Sequence, residues 1–393
     1  MGLGLIVQKY YYTFVGWRAR RIPDPVDRLR YLRRTARVSF ARWSRGLKQA
    51  VRAALLCFLL LLVPVLTISE SSVTGVVQRD LVRPASHDSP VEPNRPVWKV
   101  EVKPEYEVYS NGLRVEMRFL AAAESAGAPT FQRLKRDGRA LEWRPEPFGI
   151  VYHTTESHMA PFEQNQNHVL KRFGEDLLAY VKRNRAYHFV IDRFGRVYQT
   201  VPETEAANHA GRSVWADNES LFINLNHSFL GVAFEAQSRP DDGATVVSPA
   251  QVHAAGTLTA LLRSRYGIPA SLCLTHAQVS VNPLNMKIGY HTDWAASFPF
   301  SEIGLPDNYA LPPPAITELG FGYDPIFVRS TGAPVWKGLL LAEEMVRQHA
   351  TANGMTVRQH RTILEKSYRE VIALVDSERQ SRAGLQAFAE PRL

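Results

Sequence analysis

Two histidines stand at the ends of apolar runs in this 393-residue chain. His153 ends Phe148-Gly-Ile-Val-Tyr-His, and His276 ends Leu272-Cys-Leu-Thr-His. Asp293 follows His276 by 17 positions, in His291-Thr-Asp-Trp. Two imidazoles carried on strand ends, with a later carboxylate or imidazole, make the donor set of an open three-ligand zinc site. Such a site keeps one metal position free, so its chemistry is catalytic rather than structural. Cys273, three before His276, offers a competing Cys-x-x-His pair, but strand alternation turns it away from His276 and into the core.

The elements that must carry these residues are legible from pattern. Gly149-Ile-Val-Tyr-His is a buried strand, and Asn165 to Asn184 places Leu170, Leu177, Leu178 and Val181 on one helical stripe. Tyr187 to Ile191 and Arg196 to Val201 form a hairpin turning at Gly195, and Phe229 to Glu235 is a central strand. Ser248-Pro-Ala-Gln opens a helix with an N-cap and a proline at N1, which Gly267-Ile-Pro ends. Strands interleaved with helices predict an α/β domain with a mixed central β-sheet flanked by helices. Ahead of it, Val97 to Val102 and Leu113 to Phe119, around Ser110-Asn-Gly, suggest a β-hairpin-like preface. After Pro312-Pro-Pro-Ala, residues 334–350 and 356–382 carry helical patterns.

The net charge of +9 does not point to nucleic acid. Residues 1–49 hold twelve Lys/Arg and two Asp/Glu, which leaves −1 for the rest, so the basicity is a tail and not a binding face. Ala53 to Ser69 then run seventeen residues without a charge, close to the minimum for spanning a hydrocarbon core of roughly 30 Å. With arginines before it and Glu70 after it, this stretch predicts a transmembrane signal-anchor, a cytoplasmic tail and an exported remainder. The expected location is a single pass through the inner (cytoplasmic) membrane, with the catalytic part periplasmic. Cys57 and Cys273 are the two cysteines, so the exported portion has no internal disulfide.

Five stretches, in order, resemble the zinc-dependent type 2 N-acetylmuramoyl-L-alanine amidases, which share their fold with peptidoglycan recognition proteins. They are Ile150-Val-Tyr-His-Thr-Thr, Tyr187-His-Phe-Val-Ile-Asp-Arg-Phe-Gly-Arg-Val-Tyr-Gln, Ala207-Asn-His-Ala-Gly, Leu230-Gly-Val-Ala-Phe-Glu and Leu274-Thr-His-Ala-Gln-Val-Ser. The resemblance covers roughly 148 to 300 and implies that His153 and His276 bind zinc. For the third ligand it leaves two alignments. One sets Asp293 as ligand, brings Phe298 and Phe300 onto the family's aromatic positions, and puts His291 where a catalytic lysine stands. The other makes His291 the ligand and Lys287 the oxyanion donor. Tyr187 matches a proton-transfer tyrosine. A family glutamate falls on Ala233, with Glu235 two along on the same strand face and a candidate for substrate contact. His209 resembles a cleft-wall residue that touches substrate, and His188 faces away from Tyr187.

Neither His-Glu-x-x-His nor Gly-x-Ser-x-Gly occurs, nor a glycine-rich phosphate loop. The expected organisation is a basic tail (1–49), an anchor (50–69), a linker and β-rich preface (70–147), an amidase-like domain (148–311) and a helical extension (312–393). The resemblance implies a zinc-dependent amidohydrolase that cuts the lactyl–L-alanine amide of peptidoglycan or muropeptide. The alternative is a non-catalytic peptidoglycan-binding module of the same fold, for which Ala233 and the altered loop after His276 speak.

Overall fold

The computed structural model describes residues 96–124, 129–136, 140–238, 247–323 and 335–389. The chain divides into two units, Met1–His87 and Asp88–Leu393, and everything described lies in the second. Its strands are β1 (Lys99–Val102), β2 (Tyr106–Tyr109), β3 (Arg114–Glu116), β4 (Phe131–Lys135), β5 (Leu141–Arg144), β6 (Gly149–Thr154) and β7 (Phe189–Ile191). They continue with β8 (Val197–Gln199), β9 (Val214–Ala216), β10 (Ser220–Ile223), β11 (Phe229–Phe234), β12 (Cys273–Thr275), β13 (Val281–Asn282) and β14 (Lys287–Ile288). The helices are α1 (Asn167–Asn184), α2 (Pro249–Tyr266), α3 (His276–Val279), α4 (Pro314–Thr317), α5 (Lys337–Ala352) and α6 (Val357–Ala389).

The main sheet runs β1-β2-β3-β8-β7-β11-β6-β12. Its centre is parallel, with β11 between β7 and β6 and with β12 beyond β6. Every residue of β6 and β11 is buried, as expected of strands covered on both faces. A Cβ on Gly149 would meet Phe229 Cε2 at 2.3 Å and the Leu272 carbonyl at 2.5 Å, so a glycine is needed where three strands crowd together. Helix α2 starts on a reciprocal capping box between Ser248 and Gln251, with Pro249 in its first turn, and ends at Gly267 with φ of 65°.

Two regions differ from the sequence expectation. The preface is a three-stranded meander, because β2 pairs with both β1 and β3 and its turn falls at Gly112, with φ of 83°. A second antiparallel sheet, β5-β4-β10-β9, comes from stretches with no clean alternation, such as Phe131-Gln-Arg-Leu-Lys. Its apolar residues Leu134, Val214, Leu221 and Ile223 share a cluster with Ile316, Leu339, Val346 and Val375 of α4, α5 and α6.

The membrane expectation requires correction. Among the described residues no helix is long and apolar enough to cross a membrane. The longest, α6, is amphipathic and carries charges along its length, among them Arg361, Glu365, Arg369 and Asp376. Residues 50–69, on which the anchor was placed, lie outside the described residues. The transmembrane element of the fold class, the membrane as partner and the inner-membrane location are withdrawn together.

Candidate metal centre

His153 is the fifth residue of β6, in register with Ala233 of β11, and is 1% exposed. His276 opens α3 directly after β12, where Thr275 and Gln278 form a capping box that fixes the turn from strand to helix. Asp293 returns to the pair by a detour. The short hairpin β13–β14 carries the chain out and back, and the Asp293 carbonyl accepts from Ala277 N–H at 3.2 Å. Trp294, fully buried with φ of 55°, donates its indole N–H to the His153 carbonyl at 3.0 Å and locks this loop against β6.

Three donor atoms converge. Asp293 Oδ2 lies 3.1 Å from His153 Nδ1, and Asp293 Oδ1 lies 2.8 Å from His276 Nδ1. Among the described residues this trio is the group of three whose ligand atoms all lie within 4.8 Å of one another. Two imidazole nitrogens and one carboxylate oxygen, all buried, match zinc by donor type, and all three lie close enough together to reach one ion. Burial alone would raise the Asp293 carboxyl. The two histidines outweigh burial and hold it far below the usual carboxylate range. Burial, and then the neighbouring His276, push His153 down to about 4, so its ring is neutral, as a ligand must be.

One side of the trio is open. A cleft of about 360 Å³ reaches it, lined by Thr154, Glu156, Tyr187, His209, Gly211 and His291 among others. The Tyr187 ring lies 5.2 Å from that of His153, and burial, with the Asp293 charge second, raises its hydroxyl well above the usual phenol range. His291 stacks on His276 with centroids 4.6 Å apart and planes 18° apart, which leaves the carboxylate of Asp293 as the third donor. His209 Nδ1 lies 3.1 Å from His153 Nε2.

Two expected site residues are elsewhere. Lys287 sits on β14 and lines a separate pocket with Gly322, Glu343 and Arg361. Glu235 lies one residue past the end of β11, where its carboxylate accepts from Arg193 N–H at 3.1 Å, close to Gly174 of α1. Two contributors carry no sequence signal. Asn226 Oδ1 accepts from the backbone N–H groups of His209, Ala210 and Gly211, pinning the cleft wall from 15 to 17 residues away. Glu156, with φ of 50°, lines the cleft and accepts from Thr154 Oγ1 at 2.6 Å.

Residues 143–293 match the family described as N-acetylmuramoyl-L-alanine amidase. No curated relative matches the sequence. Among solved structures, the chain is similar to the N-acetylmuramyl-L-alanine amidase AmiD from E. coli, at 18% identity over 63% of this chain and 99% of that one, with a TM-score of 0.32. It is also similar to AmpDh3 from Pseudomonas aeruginosa (17% identity, 52% and 92% covered, TM-score 0.32). A third is the amidase LysC from Clostridium intestinale (21% identity, 48% and 94% covered, TM-score 0.27). None of these superpositions bears on the site, which stands on side-chain geometry and the family match. With a buried His–His–Asp zinc centre opening into a cleft inside the matched stretch, residues 143–293 are a zinc amidohydrolase domain of the N-acetylmuramoyl-L-alanine amidase family.

Proposed function

We infer that the cleft cuts the amide between the lactyl group of N-acetylmuramic acid and the L-alanine of a peptidoglycan stem peptide. The observation that carries this is the three-donor centre with one face open to the cleft, inside the stretch that matches the amidase family. His153, His276 and Asp293 would hold the ion. The chemistry a bound zinc supplies at such a site is Lewis-acid polarisation of the scissile carbonyl and activation of water.

The chain's own residues supply the rest. Tyr187, on the cleft wall beside His153, keeps its hydroxyl proton at neutral pH and offers it to oxygen or nitrogen that gains charge in the tetrahedral step. His291, lining the cleft and stacked on His276, would supply a second N–H donor to the same developing charge. Neither Lys287 nor Glu235 lines this cleft, and no role is assigned to them in the reaction. Residues 148–311 are proposed as the catalytic unit, with 70–147 as linker and β-rich preface and 312–393 as a helical extension.

The test is digestion of purified peptidoglycan, and of soluble muropeptide, by the full-length chain with and without a zinc chelator. Release of intact stem peptides with free L-alanine amino termini, abolished by chelator and restored by zinc, is the expected result. Retention of the protein on the wall without release would favour the binding-module reading instead.

A further inference from the structure

We propose that His209 is a positioning residue that selects the metal-binding tautomer of His153. This rests on the zinc reading above and extends it to a residue outside the ligand set. His209 Nε2 lies 3.0 Å from the Phe229 carbonyl oxygen, which can only accept, so this nitrogen carries the hydrogen. In a neutral ring Nδ1 is then bare, and it faces His153 Nε2 at 3.1 Å. For that contact to be a hydrogen bond, His153 must donate from Nε2. That leaves His153 Nδ1 with a lone pair facing the Asp293 carboxylate at 3.1 Å, two acceptors that a cation held between them would satisfy together. The opposite tautomer would set two lone pairs against each other at the His209 contact and a proton where the ion belongs. His276 reaches the same state without a helper ring, since its Nε2 faces the Ala210 carbonyl at 3.3 Å.

The seat of His209 is built for this role. Asn226 Oδ1 holds its backbone N–H at 2.9 Å, and Phe229 holds the far end of the ring. Between these two points the ring lies across β11 at Gly231, where an added Cβ would stand 2.6 Å from His209 Cγ. His188 also fixes that stretch of strand. It accepts from Gly231 N–H at 2.9 Å and donates to the Glu205 carbonyl at 2.8 Å. Partners of this kind around a ligating histidine, when removed, typically cost roughly 10–100-fold in metal affinity.

The test compares side chains that keep one nitrogen position of His209 or the other. The Oδ1 of asparagine stands as many bonds from Cα as His Nδ1, whereas the terminal atoms of glutamine match Nε2. Zinc affinity of the full-length protein is measured by competition with a chromogenic chelator for the wild type, His209→Asn, His209→Gln and His209→Ala. The wild type is expected to bind one zinc per chain, His209→Asn to stay within a few-fold of it, and His209→Gln and His209→Ala to bind roughly 10–100-fold more weakly. In the zinc-loaded wild type, nitrogen-15 spectra should show the His153 proton on Nε2. Equal affinities for the Asn and Gln variants, or wild-type affinity in His209→Ala, would overturn the proposal. Because Asn and Gln are compared at one position, failure of the Ala variant to fold leaves the comparison intact. A wild type that takes up no zinc would instead overturn the zinc reading itself.

Discussion

Glu235→Gln offers a quantitative test of where that carboxylate belongs. Glu235 is 4% exposed. Burial raises its carboxyl from 4.5 to about 7, against the Arg193 N–H it accepts from and with help from the neighbouring Asp192 charge. That rise is worth roughly 3 kcal/mol, at about 1.4 kcal/mol for each tenfold change in proton affinity. The sign follows from linkage. Below pH 4.5 folded and unfolded chains both hold the proton and nothing is lost. Between pH 4.5 and about 7 the unfolded chain releases it while the folded chain retains it, so stability falls as pH rises. Above about pH 7 the penalty is constant. Glutamine keeps an acceptor oxygen for Arg193 N–H and removes the titration. The variant should match the wild type near pH 4 and exceed it by up to about 3 kcal/mol at pH 8, or roughly 5 °C in Tm. Thermal and urea unfolding at both pH values, in chelator so that zinc does not contribute, gives the comparison. Equal gains at the two pH values, or a loss at pH 8, would refute the assignment of Glu235 to the fold. A raised KM for muropeptide would return it to substrate binding.

Tyr187→Phe should lower kcat on the order of 10²-fold with zinc content unchanged, and an effect confined to KM would remove Tyr187 from proton transfer. His291→Ala should lower kcat by roughly 10²-fold, whereas Lys287→Ala should leave it within a few-fold; the reverse order would favour the lysine as oxyanion donor. Asp293→Ala should abolish stoichiometric zinc by elemental analysis. With it should go the stabilisation of about 2.7 kcal/mol expected of the wild type at zinc a hundredfold above Kd. Gly149→Ala should cost at least about 1–3 kcal/mol by denaturant titration, because Phe229 and the Leu272 carbonyl leave its methyl no room.

What the sequence made legible is what short-range pattern determines. His153 and His276 could be found because each ends a run of apolar residues, and such runs become strands buried on both faces. The third ligand was ambiguous for a topological reason. Spacing after His276 cannot show that Val281–Asn282 and Lys287–Ile288 pair into a hairpin, which holds Lys287 away beside Gly322 and returns Asp293 to the histidines. Glu235 misled because alternation was carried past Phe234, where β11 stops. The second sheet went unread because its strands hold charged residues within the register and gain their burial from helices more than a hundred residues later. Asn226 illustrates the limit most simply, since one amide oxygen with three backbone donors leaves no periodic trace.

The last helix has a consequence for how the enzyme comes into being. Arg379 bonds to Gln132 and to the Ile223 carbonyl, and Arg382 to the Pro129 carbonyl, contacts that span up to 253 positions. Nearer the centre, Trp336 bonds to the Ala295 carbonyl, two residues beyond the aspartate. Without residues 334–393 all three donors would still be present, yet one β-layer would lose the cover of α5 and α6 and the aspartate's loop would lose its Trp336 brace. Closing loops of that span is slow and entropically costly, so completion of the hydrolase waits on the docking of α5 and α6.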